Sequence, residues 1–305
     1  MKKVAHHFYP LLIMIERFAP AKLNLCLHVT GQRKDGYHEL DSLVLHLDQG
    51  DWISVELADD ISLSLSGEFC EGIPVDGRNL VLKAAHLLTE KAHSCAGAKL
   101  SLIKNLPSAA GIGGGSSDAA ATLHLLSRLW NIPLPDEVVL STLGADVPVS
   151  MSFELSRMAG IGERLTRLGE PPKLNFLLIN PGVDLPTPKV FAALNHKNNS
   201  PMPIALPQLK NSEQWIAWLA IQRNDLEAPA ITLQPIIGEV LKVLRAYAGV
   251  RLSRMSGSGA TCFALFESDT QAQLAEAYFK TKKPNWWVKA ATTWTGKDQV
   301  SRSTT

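Results

Sequence analysis

The sequence predicts an α+β fold in two domains, and three observations carry that expectation. Strand-period and helix-period apolar patterns are both present, but they do not alternate as a doubly wound parallel sheet requires. At 305 residues the chain can build two cores of ordinary size. The pattern loosens after Val149, which places a boundary near Arg157: residues 1–157, residues 158–294, then a polar tail over 295–305.

Leu23, Leu25, Leu27 and Val29 alternate with Lys22, Asn24, Cys26 and His28, the pattern of a strand with one buried face. A charged turn follows over 31–36. Residues 43–47 and 52–57 read as strands joined by a turn at 48–51, and 61–65 as another strand. Residues 80–92 are helical. The strand 98–103 enters a glycine-rich loop over 107–117. Ser116, Ser117 and Asp118 have the composition of a cap and first turn for a helix over 119–130. Residues 136–143 form a short helix ending at the Gly144-Ala145-Asp146 turn. In the second half, 176–179, 262–267 and 286–293 read as strands, and 187–193, 215–222, 236–248 and 271–279 as helices. The Asn- and Pro-rich stretch 195–207 reads as a surface loop.

A formal net charge of +1 creates no global field for nucleic acid or an anionic membrane. Cys26, Cys70, Cys95 and Cys262 show no paired spacing, so neither a zinc site nor a disulfide framework is expected, and reduced thiols in the cytoplasm are. The apolar run 8–15 follows Lys2 and Lys3, as a signal peptide would. It is short, interrupted by Pro10, and meets no small-residue cleavage site before Glu16 and Arg17. It also falls below the roughly 20 residues that span a bilayer. Met14 is a second candidate start.

The glycine loop is the strongest functional signal. Gly111, Gly113, Gly114 and Gly115 remove the Cβ atoms that keep backbone away from a bulky anion, and the following helix offers unpaired N–H donors. Phosphate, and hence nucleotide, fits such a place. The loop is no Walker A motif, because no lysine follows Gly115, and it does not complete a Rossmann fingerprint, because the next acid after Asp118, Asp136, lies in a Pro-rich loop. An ordinary glycine-rich turn before a capped helix remains the plain alternative. Lys22 and Asn24, two apart on a strand, share one face. Asp146 either bonds its own turn or takes a proton from a hydroxyl attacking a phosphate. The small residues of Arg254-Met-Ser-Gly-Ser-Gly-Ala260 either make a tight turn or let backbone approach a ligand.

Residues 107–117, the Ser256–Gly259 turn and Ala19-Pro-Ala-Lys-Leu-Asn-Leu25 together resemble the three motifs of the GHMP small-molecule kinases. Residues 21–38, 143–148, 160–163 and 180–188 resemble the branch acting on a cytidine diphosphate derivative of methylerythritol, in the non-mevalonate route to isoprenoid precursors. The likeness runs from about residue 17 to residue 290, with all motifs in order.

The resemblance implies a two-domain GHMP-kinase fold with ATP and Mg²⁺ at the interdomain cleft. Pro107, Ala109, Ala110, Gly111, Ile112, Gly113, Gly114, Gly115, Ser116 and Ser117 would hold the phosphates. Lys22 and Asp146 would be the catalytic pair, with Asp146 as general base toward the 2-hydroxyl, and Asn24 would assist near the transferring phosphate. Tyr37 and His38 would receive the cytosine, with Thr187 and Phe191 lining the same pocket. No side chain is assigned as a metal ligand. The implied partner is a small molecule, not nucleic acid or a membrane, and the implied state a monomer or weak dimer. With no lysine in the loop, magnesium would carry much of the charge neutralisation. Asp118 stands where relatives can carry asparagine, and Val44 where relatives can carry an aromatic residue. Two rivals share part of this pattern. A superfamily member acting on homoserine, mevalonate or a sugar has no need of Gly36-Tyr37-His38, and a silent nucleotide-binding regulator needs neither Lys22 nor Asp146.

Overall fold

The computed structural model describes residues 14–92 and 97–296. The apolar run up to residue 13, Cys95 and the tail beyond residue 296 lie outside the described residues. The elements run β1 (Ile15–Gln32), β2 (His38–Ala58), β3 (Ser62–Ser66), α1 (Leu80–Ala92), β4 (Gly97–Ile103), α2 (Gly114–Trp130), α3 (Glu137–Ser141), α4 (Val147–Ser150), β5 (Ser156–Gly160) and β6 (Arg164–Arg167). They continue β7 (Asn175–Asn180), α5 (Thr187–Ala192), α6 (Ser212–Ala220), α7 (Glu227–Leu233), α8 (Ile236–Ala246), β8 (Leu252–Met255), β9 (Cys262–Phe266), α9 (Asp269–Lys282) and β10 (Trp287–Thr292).

Two sheets result. The first has the order β3-β4-β2-β5-β6, with β1 antiparallel along β2; the second has the order β10-β7-β9-β8. The long β2 organises the first sheet, pairing with β5 through Leu40–Val44 and with β4 through Trp52–Ala58. Arg157, where the sequence reading puts the domain boundary, lies inside β5 and pairs with Leu43. One apolar cluster joins the sheets, with Leu23, Leu25, Leu43 and Leu45 against Phe176, Leu178, Phe263 and Leu265. A second packs α1 and α2 on the first sheet, and a third packs α8 and α9 on the second.

Three sequence expectations are corrected. Residues 48–51 are not a turn, because β2 runs straight through them. Asp51 is fully buried and accepts the backbone N–H groups of Asn105 at 2.6 Å and Leu106 at 2.9 Å, and these contacts hold the polar stretch inside the sheet. The strand β1 is covered on both faces, not one: Lys22, Asn24 and His28 are buried along with the leucines. Helix α2 begins at Gly114, with Gly113 as its cap residue, so Ser116, Ser117 and Asp118 sit inside the helix. The stretch 195–207 is the surface loop expected, fastened to the first sheet. Met202 is buried, its N–H donates to Asp41, and Arg157 donates to the carbonyls of Met202, Pro203 and Ile204. The short elements β5, β6, α7 and β8 carry too few residues for a period to be read. Among the described residues no helix is long and apolar enough to cross a membrane.

Candidate active site

A cleft of about 560 Å³ opens between the glycine loop, the middle of β1 and the start of α5. The three segments singled out in the sequence meet here through backbone contacts. Lys22 N–H donates to the Ile112 carbonyl at 2.8 Å, and Thr261 N–H to the Ala110 carbonyl at 3.1 Å. Ser256 Oγ accepts from Asn24 N–H at 3.1 Å and donates to the Gly111 carbonyl at 2.9 Å. This packing requires glycine at 111: its φ is +74°, and a Cβ there would lie 2.6 Å from the Ser256 carbonyl oxygen.

Ala109 (φ 51°), Gly111 and Gly113 (φ 65°) bend the loop into a concave run that ends on the first turn of α2. No side chain caps that turn. Ser117 N–H is spent on the Gly113 carbonyl at 2.9 Å, which leaves the amides of Gly114, Gly115 and Ser116 as the donors facing the cleft. Pro107, Ala109, Ala110, Gly111, Gly113, Gly114, Gly115 and Ser116 line the cleft. Ile112 and Ser117 do not: the Ile112 side chain sits in the core and Ser117 is buried.

Lys22 and Asp146, 124 positions apart in sequence, form an ion pair at 2.9 Å. The aspartate precedes α4 but makes no capping hydrogen bond, so its carboxylate is free of the local role that such a turn residue ordinarily has. A third of its side chain is exposed to the cleft, while Lys22 is nearly enclosed. Lys22 Nζ also donates to Asn24 Oδ1 at 2.8 Å, and Asn24 Nδ2 donates to Ser42 Oγ at 2.8 Å. The lysine stem is crowded from the loop side, because a Cβ on Gly113 would lie 3.1 Å from both its Cβ and its Cε. Across the ladder from Lys22 stands His46, fully buried. Burial, with the Lys22 charge beside it, pushes the His46 pKa down to about 3 against the opposite pull of Asp146, so the ring is neutral.

At the other end of the cleft, Thr187 Oγ1 and Ser258 Oγ share a 2.7 Å hydrogen bond that ties α5 to the 256–259 turn. Phe191 lines the cleft and stacks on His38, with ring centroids 5.0 Å apart and planes 23° from parallel. Tyr37 is 61% exposed beside it, and neither Tyr37 nor His38 is among the cleft-lining residues. Val44 packs with Val149 and Met158 and offers no ring to the cleft.

Lys104 was missed by sequence reasoning. It follows the last residue of β4, and its buried ammonium meets Asp118 Oδ2 at 2.8 Å and the carboxylate of Asp51. Burial pulls the Lys104 pKa down, but the two carboxylates outweigh it and hold the ammonium above its ordinary value. A lysine therefore does stand at the glycine loop, supplied from before it rather than after. Asp118 is not a first-turn residue in the macrodipole's field; it is a buried partner of that lysine. A lysine three residues before Pro107, at the end of an apolar strand, was the available signal.

Two family patterns match the chain: GHMP kinases N terminal domain over residues 79–152, and GHMP kinases C terminal over residues 205–285. A protein of Cereibacter sphaeroides (strain KD131 / KCTC 12085) is 52% identical over 279 residues, covering 91% of this chain and 99% of its own length. One of Ruegeria pomeroyi is 50% identical over 275 residues, covering 90% and 97%. Both are named 4-diphosphocytidyl-2-C-methyl-D-erythritol kinase. A crystal structure of 4-(cytidine 5'-diphospho)-2C-methyl-D-erythritol kinase superposes with a TM-score of 0.77 at 34% identity, covering 91% of this chain and 98% of that one. With identity near one half along nearly the whole length, and both halves of the family pattern in place around the Lys22–Asp146 cleft, the chain belongs to the GHMP kinases and, among them, to the 4-diphosphocytidyl-2-C-methyl-D-erythritol kinases.

Proposed function

We propose that the chain transfers the terminal phosphoryl group of ATP to the 2-hydroxyl of 4-diphosphocytidyl-2-C-methyl-D-erythritol, a step toward isoprenoid precursors. The observation that carries the mechanism is the 2.9 Å Lys22–Asp146 pair, whose carboxylate makes no cap contact and stands beside the glycine loop. Asp146 takes the proton of the attacking hydroxyl. Lys22, fixed by Asn24, holds that carboxylate in place and offers its charge to the oxygens in flight. The amides of Gly114, Gly115 and Ser116 hold the phosphates. The cytosine lies by His38, Phe191 and Tyr37, with Thr187 beside it, in reach of a planar face and polar ring edges.

Magnesium, when bound, neutralises phosphate charge. Among the described residues no three His, Cys, Asp or Glu side chains converge, and Asp146 is committed to Lys22, so the ion is read as entering on the nucleotide with no cage of its own. The two domains are read as dividing between β6 and β7, where the first sheet ends and the second begins. The enzyme is read as a cytoplasmic monomer or weak dimer acting on small molecules, in accord with the near-zero net charge and the free thiols of Cys26, Cys70 and Cys262.

The test is turnover of the purified chain with ATP and the cytidyl substrate, beside homoserine and mevalonate as alternative acceptors. Asp146→Asn is expected to lower kcat by about 10²–10⁴-fold with ATP binding retained. Near-wild-type turnover would remove Asp146 as the base, and preference for a non-cytidyl acceptor would overturn the substrate.

A further inference from the structure

Beneath the first turn of α2, at the floor of the same cleft, lies a buried charge cluster to which the mechanism above gives no role. Of its two acids, Asp51 is fully engaged: Oδ1 accepts two backbone N–H groups and Oδ2 accepts from Lys104. Asp118 is half engaged. Its Oδ2 accepts from Lys104 Nζ at 2.8 Å, while its Oδ1 is buried with no hydrogen-bond partner among the described residues. Lys104 Nζ lies 3.4 Å from where a Cβ on Gly114 would stand, which puts the cluster directly under the amide cradle. The other charges nearby are already matched: Lys22 with Asp146 beyond Gly113, and Arg78 with Asp76 at the rim of the cleft.

Two charge states follow. With Asp118 protonated, the cluster holds one cation and one anion. With Asp118 ionised, it gains a net negative charge under a site for a polyanion, and the unpartnered oxygen becomes a buried, unsatisfied part of a carboxylate. Given that ATP lies against the glycine loop, as proposed above, we propose that the charge state of Asp118 sets how tightly the nucleotide is held, ATP selecting the protonated form. Burial pushes the Asp118 carboxyl up to about 8, with Lys104 pulling against it and the neighbouring Asp51 carboxylate adding to the push, so both forms are within reach of working conditions. Because ATP favours the form with the extra proton, binding takes up a proton wherever the free protein has lost it.

Calorimetric titration of the full chain with ATP, without acceptor alcohol, tests this between about pH 7.5 and pH 9, in buffers of different ionisation heat. The dissociation constant is expected to rise with pH toward roughly tenfold per unit, with proton uptake growing toward about one per ATP bound. In Asp118→Asn both effects are expected to vanish, and ATP to bind more tightly than to wild type at the alkaline end. Equal pH dependence in the two proteins, or no proton uptake by wild type, overturns the assignment. Should the variant melt far below wild type, an infrared difference spectrum of the wild-type protein decides. A protonated-carboxyl band gained on adding ATP at alkaline pH supports it, and an unchanged spectrum overturns it. Gly115→Ala separates the two readings, since the Cβ it adds to the amide cradle meets only Leu80 at ordinary distance. If that variant binds ATP as wild type does, the nucleotide is not at the loop and both readings fall. If it does not bind, a flat wild-type pH profile condemns the role of Asp118 alone.

Discussion

Single residues divide the chemistry by how fully their polar atoms are satisfied. Lys22 spends one donor on Asn24 and one on Asp146, and its surroundings leave the ammonium little room to leave that geometry. Lys22→Met keeps the stem and removes the charge. It is expected to lower kcat by about 10²-fold or more, with ATP affinity and melting temperature little changed. Steady-state kinetics beside a melting curve check this, and an unchanged kcat would take Lys22 out of the transfer step. The two-residue spacing of Lys22 and Asn24 was legible, since it is a local property of a strand. The 2.9 Å approach of Asp146 was not derivable from spacing, and came only through resemblance to known motifs. Lys104 went unread because its meaning depends on Asp51, 53 positions earlier, and on a helix that starts ten residues later.

Elements show where local rules gave way to tertiary ones. A polar Asp-Gln-Gly-Asp stretch reads as a turn because Gly and Asp favour turns, yet here it lies within a 21-residue strand. What overrides the propensity is the set of contacts made by Asp51, which anchors β2 to the segment leaving β4. Asp51→Ala would leave two buried N–H groups and one side of Lys104 without an acceptor. It is expected to cost about 2–4 kcal/mol, read as a lower midpoint in urea unfolding with an unchanged slope. A loss below about 0.5 kcal/mol would show that the anchoring lies elsewhere. The long helices α1, α2 and α9 were legible from their period, while β5, β6 and β8, at four or five residues, hold their place by pairing with neighbours distant in sequence.

At the scale of the whole molecule, buried titratable groups shape the dependence of stability on pH. Burial pushes His46 down to about 3, and His124 down to about 4 with the charge of Arg17 adding to the effect. Both stand below the ordinary 6.5, so between those values the unfolded chain binds more protons and stability falls as the solution is acidified. Asp118 acts in the opposite sense. Its folded pKa is raised from 3.8 to about 8, so its contribution is fully present below the lower value and is lost as pH climbs to the upper one. His46→Phe keeps a ring against Phe153 and deletes one of the acid-sensitive groups. Its melting temperature is expected to fall less than that of wild type between about pH 6.5 and pH 4, and parallel curves would refute the role given to His46.

Strand β1 has a further bearing on how the enzyme moves. It exchanges backbone hydrogen bonds with the second half at both ends of one residue: Leu27 N–H donates to Arg223, and Asp225 N–H donates to Leu27. The strand that bears Lys22 is thus bonded both to β2 and to the second half of the chain. Wide hinge opening between the halves would break the two backbone bonds at Leu27. Splitting the gene between the lobes would separate β1 from its backbone contacts with Arg223, Asp225 and Asn199, while its ladder with β2 stays whole.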